Sequence, residues 1–502
     1  YFNPLNFINS LNFINSLNSL NSLNSLNFLN SINPIHHLPT MRLKFFFVFA
    51  AISAALAAAE PAKYIFYFIG DGMGPGPVAA AETYLRQAGA DSILTMTRMP
   101  FQGWATNMSA DSPVTDSAAA GTALATGSKT RNGMLGVDPD TVAVSSVARR
   151  LKDMGYGIGL VTSVAPDDAT PAAFYAHVPH RSHYYDIGCQ MAASGYDFIA
   201  GAGLRGLRDK QGQATDLSAR LAEAGWHTLR GRKGLDSLAD AGARVLLLNP
   251  DGTPDWNIGY TIDSIAGDRL DLPTMTRACL EHLTARSPER FFMMVEGGNI
   301  DHALHANDAG TAIKELLNFD SALAMAYSFY LQHPDETLII VTADHDTGGL
   351  AMGSNGLPYN VRTANFDYQR ISKEAFNEEC KAMLRSRRNI NWDDMRDYLS
   401  EKLGLFGAIT VSPENETRLQ QLFNDTFALR NSADQKTLYA NFNAFAVEVY
   451  RLLADASGFG FTTTHHTGNF VPVFAIGKGV DALTGHLDNT DLPRVIMGEE
   501  DI

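Results

Sequence analysis

Short, almost unbroken apolar runs recur along the chain and stop at acidic residues. Ala62–Ile69 (AKYIFYFI) runs into Asp71, and Gly157–Thr162 (GIGLVT) precedes Asp168. Phe291–Val295 (FFMMV) runs into Glu296, and Thr337–Thr342 (TLIIVT) runs into Asp344. Runs this short, without polar alternation, suit strands buried on both faces of a largely parallel sheet. Stretches with helical spacing lie between them, such as Thr141–Met154 and Ala309–Gln332. The alternation predicts an α/β fold: a layered sandwich with a large, mostly parallel central sheet flanked by helices. In open sheets of this kind ligands gather beyond the carboxyl ends of the strands, where these acidic residues fall. His466 differs, because it precedes its strand (Asn469–Ile476), which predicts an antiparallel direction there.

The segment 353–464 breaks the alternation. Helical spacing dominates it, at Lys373–Ser386, Asp393–Leu403, Glu414–Leu429 and Leu438–Ala456. It reads as a helical insertion beside the site, with Trp392 and Phe406 as packing residues.

Two stretches lie outside the predicted fold. Residues 1–40 repeat Leu, Asn and Ser with no charged residue before Arg42, a composition that cannot bury a core. Met41 opens a basic MRLK, an apolar FFFVFAAISAALA and a small-residue Ala57-Ala58-Ala59. That order predicts a signal peptide over 41–59, since the apolar run is short for a membrane span. A mature chain beginning near Glu60 is expected in the periplasm or outside the cell, with no transmembrane segment.

The formal charge of −15 argues against a nucleic-acid groove, which calls for clustered Lys and Arg. An acidic protein with an anionic substrate must concentrate positive charge in its site, and bound metal ions do that. The three cysteines, Cys189, Cys279 and Cys380, are too few and too far apart for a disulfide framework or a thiolate zinc site. Carboxylate and imidazole are left as ligands.

Such ligands are present. EGGNIDHALH offers Glu296 at the end of a strand, then Asp301 and His305 at the i, i+4 spacing that puts two side chains on one helical face. TADHDTGG offers Asp344 and His345, HHTG offers His466, and GDGMG offers Asp71. Taken singly, Asp-Gly is also a turn signal and paired histidines also occur on surfaces. Ser117 opens the small-residue run SAAAG after Asp116, as an N-cap serine does. A helix start also stabilises an anion, and no GxSxG elbow accompanies this serine, so a metal would have to activate it. Arg181 is a surface arginine or, if it faces the site, a fork for two phosphoryl oxygens.

With these motifs in this order the chain resembles the alkaline phosphatases, over residues 60–502 apart from about 353–464. The resemblance implies two zinc ions and one magnesium ion. One zinc would be held by Asp301, His305 and His466, the other by Asp71, Asp344 and His345 beside Ser117. Magnesium would take Asp71, Thr170 and Glu296, with Asp168 in its water shell. Arg181 would bind the substrate phosphate. The resemblance assigns no role to His302, a position where family members differ, or to His465, and both are expected behind the ligands. The implied reaction is hydrolysis of small phosphate monoesters through a phosphoserine on Ser117, by a possible homodimer. A phosphodiesterase or sulfatase on the same metal fold, and a non-catalytic phosphate-binding protein, are the alternatives. No C/S-x-P-x-R sulfatase setting occurs.

Overall fold

The computed structural model describes residues 60–89, 93–263, 267–354, 356–386 and 390–499. The low-complexity segment and the expected signal peptide lie outside the described residues.

The core is one ten-stranded sheet. Its strands are β1 (Tyr64–Ile69), β2 (Phe101–Thr106), β3 (Gly157–Thr162), β4 (Phe198–Gly201) and β5 (Trp226–Arg230). They continue with β6 (Arg244–Leu248), β7 (Phe291–Glu296), β8 (Thr337–Thr342), β9 (Val471–Gly477) and β10 (His486–Asp488). The spatial order is β10-β2-β9-β8-β1-β7-β3-β4-β6-β5. All pairings are parallel except those of β9, which runs antiparallel to both β2 and β8. The antiparallel direction expected of the strand after His466 is therefore present.

The four apolar runs form adjacent strands at the centre. β1 lies between β7 and β8, with Tyr64 level with Phe291 on one side and Thr337 on the other. β3, β7 and β8 are buried along their whole length, which explains their lack of alternation. On one face Phe66, Phe291 and Phe329 meet edge to face, with ring centroids 5.5–5.6 Å apart. This is a favoured geometry for buried rings. On β3, Gly159 lets a helix lie directly on the sheet, since a Cβ there would come 2.3 Å from Cys279 Sγ.

Helices cover the sheet: α1 (Pro75–Gln87), α2 (Ser117–Thr126), α3 (Val147–Asp153), α4 (Leu272–Arg286), α5 (Gly298–His305) and α6 (Ala309–Tyr330). α2 is built from Ala, Gly, Ser and Thr with one Leu, and is buried through Ala125. Its small side chains let it approach the turn that carries Thr170; a Cβ on Gly121 would lie 3.2 Å from the Thr170 Cα. α3 is shorter than the spacing over Thr141–Met154 predicted. Thr141 has a positive φ of 66°, Val142 is exposed, and Ser146 caps the helix by accepting from the Arg149 amide.

Segment 353–464 holds α7 (Lys373–Ser386), α8 (Trp392–Leu403), α9 (Pro413–Phe423) and α10 (Ala444–Ser457). α9 ends six residues earlier than expected and passes into a π-helical turn over Asn424–Ala428. α10 starts after Asn443, whose side chain accepts from the Ala446 amide, and not at Leu438. Trp392 packs against Phe406 and Phe423 at 6.0 and 5.5 Å, so both Trp392 and Phe406 are packing residues. The segment is tied to the start of α6 by buried hydrogen bonds. Gln369 Nε2 and the Lys373 amide donate to the two oxygens of Asp308, at 2.9 and 2.8 Å.

Candidate metal centre

The carboxyl ends of β1, β3, β7 and β8 deliver the acidic residues to one place. Glu296 closes β7, Asp71 and Asp344 follow β1 and β8, and Asp168 caps the turn Ala169–Ala172 after β3. Gly72, next to Asp71, has φ +71°, and a Cβ there would lie 3.0 Å from the Asp301 Cα. Glycine thus permits both the turn and the close approach of the two motifs.

Two groups of residues able to hold a metal ion result. Asp301, His305 and His466 form one, and Asp71, Asp344 and His345 the other. In the first, His305 Nε2 is 3.3 Å from Asp301 Oδ2. His305 Nδ1 faces the Thr464 carbonyl at 2.6 Å, and His466 Nδ1 faces the Thr115 carbonyl at 2.8 Å. A carbonyl only accepts, so both Nδ1 atoms carry the hydrogen. The two Nε2 lone pairs then face each other at 3.1 Å, an arrangement that requires a positive species between them. In the second group His345 Nε2 lies 3.2 Å from Asp344 Oδ2, 3.4 Å from Asp71 Oδ1 and 3.2 Å from Ser117 Oγ. Thr347 joins the groups, donating to Asp301 Oδ1 at 2.5 Å, and the His345 and His466 rings stack at 3.5 Å.

Asp71 Oδ1, Asp344 Oδ2 and Thr170 Oγ1 are buried with no hydrogen-bond partner among the described residues. Buried polar atoms are rarely left so. Burial pushes Glu296 up to about 8 and Asp344 up to about 7, and nearby carboxylates add to both. Asp71 is raised well above the usual range by burial, with Asp344 and Asp301 adding to it. Several acids held this close and this dry cannot all ionise without cations. Three orphaned oxygens, crowded carboxylates and facing imidazole lone pairs all fit metal ions. Carboxylate and imidazole suit zinc, and the oxygen-only set around Glu296 and Thr170 suits magnesium.

Ser117 begins α2, and the Asp116 side chain caps it by accepting from the Ala119 amide at 3.0 Å. Arg181 is positioned from both sides, with Nη2 donating to Asp168 Oδ1 at 3.0 Å and Nη1 to Asp116 Oδ2 at 3.4 Å. Burial opposes ionisation of Asp168, but Arg181 and Arg205 hold its carboxyl below the usual range.

Six of the residues expected as ligands make up the two groups, and Asp168, Thr170 and Glu296 are buried as well. His302 is buried beside them with Nδ1 unpartnered. His465 is exposed, and it is the backbone carbonyl, accepting from the Gly348 amide at 2.9 Å, that steadies the Asp344 loop. Sequence reasoning missed Thr162, which donates to Glu296 Oε2, and Tyr439, whose hydroxyl donates to Asp301 Oδ2 at 3.1 Å. Thr162 could have been found, as the polar residue ending its apolar run. Tyr439 carried no such signal.

The family model described as alkaline phosphatase matches residues 62–499. The chain belongs to the alkaline phosphatase family. Members are phosphoric monoester hydrolases that depend on metal ions, which agrees with the ligand inventory. Alkaline phosphatase 4 of Bacillus subtilis (strain 168) is 29% identical over 447 residues, covering 87% of this chain and 88% of that one. Repressible alkaline phosphatase of Saccharomyces cerevisiae is 32% identical over 328 residues, covering 60% of this chain and 58% of the yeast protein. Among solved structures, the cold-active alkaline phosphatase of Shewanella sp. superposes with a TM-score of 0.71 at 28% identity, over 87% of this chain and all of that one. No helix among the described residues is long and apolar enough to cross a membrane.

Proposed function

We propose that this protein hydrolyses phosphate monoesters through a phosphoserine on Ser117, with two zinc ions and one magnesium ion. The observation that carries the reading is the position of Ser117 Oγ, 3.2 Å from His345 Nε2 at the start of α2. Asp301, His305 and His466 would hold one zinc, and Asp71, Asp344 and His345 the other. Glu296, Thr170 and Asp71 would hold magnesium, with Asp168 acting through water. Bound there, the cations supply Lewis acidity that lowers the pKa of the serine hydroxyl and takes up charge on the departing oxygen.

The chain's own groups do the rest. Ser117 Oγ forms the bond to phosphorus while the bond from phosphorus to the ester oxygen breaks. Water then cleaves the phosphoserine and restores the hydroxyl. The start of α2 presents amide hydrogens and the positive end of its dipole to the phosphoryl group. Arg181, held on either side by Asp116 and Asp168, donates to equatorial phosphoryl oxygens. Arg181→Ala is expected to raise KM for a monoester and weaken inhibition by phosphate by ~10–100-fold, the range of a lost charge-assisted hydrogen bond. Steady-state kinetics with phosphate as inhibitor measures both.

The reaction class is tested by rates on a monoester, a diester and a sulfate ester of one phenol. Dominant turnover of the monoester is expected, and dominant turnover of either other ester would reassign the site. Residues 41–59 act in this reading as a signal peptide, giving a periplasmic or secreted protein whose natural form starts near Glu60. N-terminal sequencing decides that point. Segment 353–464 serves as a helical insertion that reaches the site through Tyr439.

A further inference from the structure

Next to Asp301 the site is bounded by a residue from outside the sheet. Tyr439 lies between the short strands Gln435–Lys436 and Asn441–Phe442. Its hydroxyl donates to Asp301 Oδ2 at 3.1 Å. Its ring lies 3.8 Å from that of His302 and stands edge-on to His305 at 5.2 Å. Tyr439 also lines a cavity of about 570 Å³, bordered by Trp256, Asn257, Tyr260, Glu374, Asn377 and Lys381.

The walls of this cavity are continuous with the elements that carry the site. Asn257 forms a β-bridge with Val164, just before Asp168. The Gly259 carbonyl accepts from Asn299 Nδ2 at 2.9 Å, and Asn299 lies on α5 with Asp301. Ser117 touches His345, His345 stacks on His466, and His466 faces His305. An ester attacked in line by Ser117 therefore has its departing oxygen toward the Asp301 group, beside Tyr439. Tyr439 borders both the Asp301 group and the cavity.

We propose that this cavity binds the organic group of the substrate and selects phosphate monoesters whose alcohol carries a planar, hydrogen-bonding ring, a nucleoside 5′-monophosphate being the type. The proposal rests on the monoester reading of the Ser117 site. The volume is in the range of small-molecule sites, which are lined by aromatic rings with a few convergent polar groups. Trp256 supplies an exposed ring, and the buried Tyr260 and half-buried Tyr439 join it in the lining. The Trp256 indole is 41% exposed and stacks on no other aromatic ring among the described residues. Glu374, hydrogen-bonded to the Tyr260 hydroxyl at 3.2 Å, has further acceptor capacity for a base edge. Lys381, whose ammonium donates to Glu378 Oε1 at 2.7 Å, keeps further donors in the lining. A small aliphatic alcohol such as glycerol would leave the exposed ring uncovered.

The test is kcat/KM of the metal-loaded protein for a nucleoside 5′-monophosphate and for glycerol phosphate, in the wild type, Trp256→Ala and Trp256→Phe. Base stacking on an aromatic ring supports a wild-type preference for the nucleotide of about tenfold or more. Trp256→Ala should lower that ratio about tenfold, and Trp256→Phe should restore most of it. The free nucleoside should inhibit the wild type competitively and Trp256→Ala about tenfold more weakly. Equal kcat/KM for the two esters in the wild type overturns the proposal. So does a Trp256→Ala ratio like that of the wild type, including the case where both rates fall together. Absence of turnover on both esters in the wild type overturns the monoester reading itself and the cavity assignment with it.

Discussion

Replacing Ser117 with alanine is expected to reduce turnover of an aryl phosphate monoester by at least ~1000-fold while the protein keeps its metal ions. The size follows from removing the atom that forms the covalent bond, a loss the remaining charge stabilisation offsets only in part. The fold should not respond. Ser117 is buried at the first position of α2, and the cap of that helix comes from Asp116, not from Ser117. Alanine favours a helix and fits the space, and the side chains of both ligand groups are untouched. Metal analysis beside phosphate release separates the two readings of this residue. Two zinc ions and one magnesium ion per chain with lost turnover identify the nucleophile. Near-normal turnover with the same metal content would falsify it and leave Ser117 as a helix-start residue.

The sheet centre was legible because strands covered on both faces need no polar positions. β1, β3, β7 and β8 therefore stand out as apolar runs, and their ends mark where ligands collect. The candidate ligands were legible for a related reason. Burying Asp301, His305, Asp344 and His345 is costly unless something compensates, so they look out of place beside such runs. Where pattern and structure part, a local signal or a distant contact decides. Helical spacing continues through Thr141–Ser146, but the positive φ at Thr141 and the Ser146 cap start the helix later. The apolar positions of Leu438 and Tyr439 extend the spacing of α10 backwards, yet Leu438 is 55% exposed and Tyr439 turns to Asp301. β5 has two exposed residues after Trp226 and lies at the sheet edge, so it lacks the signature of the central strands. Tyr439 was not legible because its role comes from a long-range approach that leaves no period in the sequence. The same holds for the cavity between Trp256 and Asn377.

Removing the metal ions should make stability fall as pH rises, in the range where the loaded protein is most secure. Burial raises Glu296 to about 8 and Asp344 to about 7 in the folded, metal-free protein, against usual values of 4.5 and 3.8. A carboxyl whose folded pKa is raised contributes fully below its unfolded pKa, and that contribution is lost as pH rises through the folded value. For these two groups the loss runs from about pH 4 to pH 8. Asp301 has the opposite sense: burial opposes its charge, but His305 and His466 hold it well below the usual range. Its contribution is lost only in acid and is constant across the window in question. Burial holds His302, His345 and His466 below the usual imidazole value, so they oppose the carboxyl slope, but only up to their unfolded value near pH 6.5. Bound cations reverse the slope, because the carboxylates they hold are already ionised and proton competition declines as pH rises. Saturating ligand contributes ~4 kcal/mol per site at a thousandfold excess over Kd. Thermal unfolding at pH 5 and pH 8.5, with chelator or with zinc and magnesium, should show Tm falling with pH in chelator only. The gap between loaded and chelated protein should widen by roughly 10 °C at the higher pH. A chelated protein equally stable at both values, or a gap wider at pH 5, would mean that these carboxyls do not meet in one buried cluster.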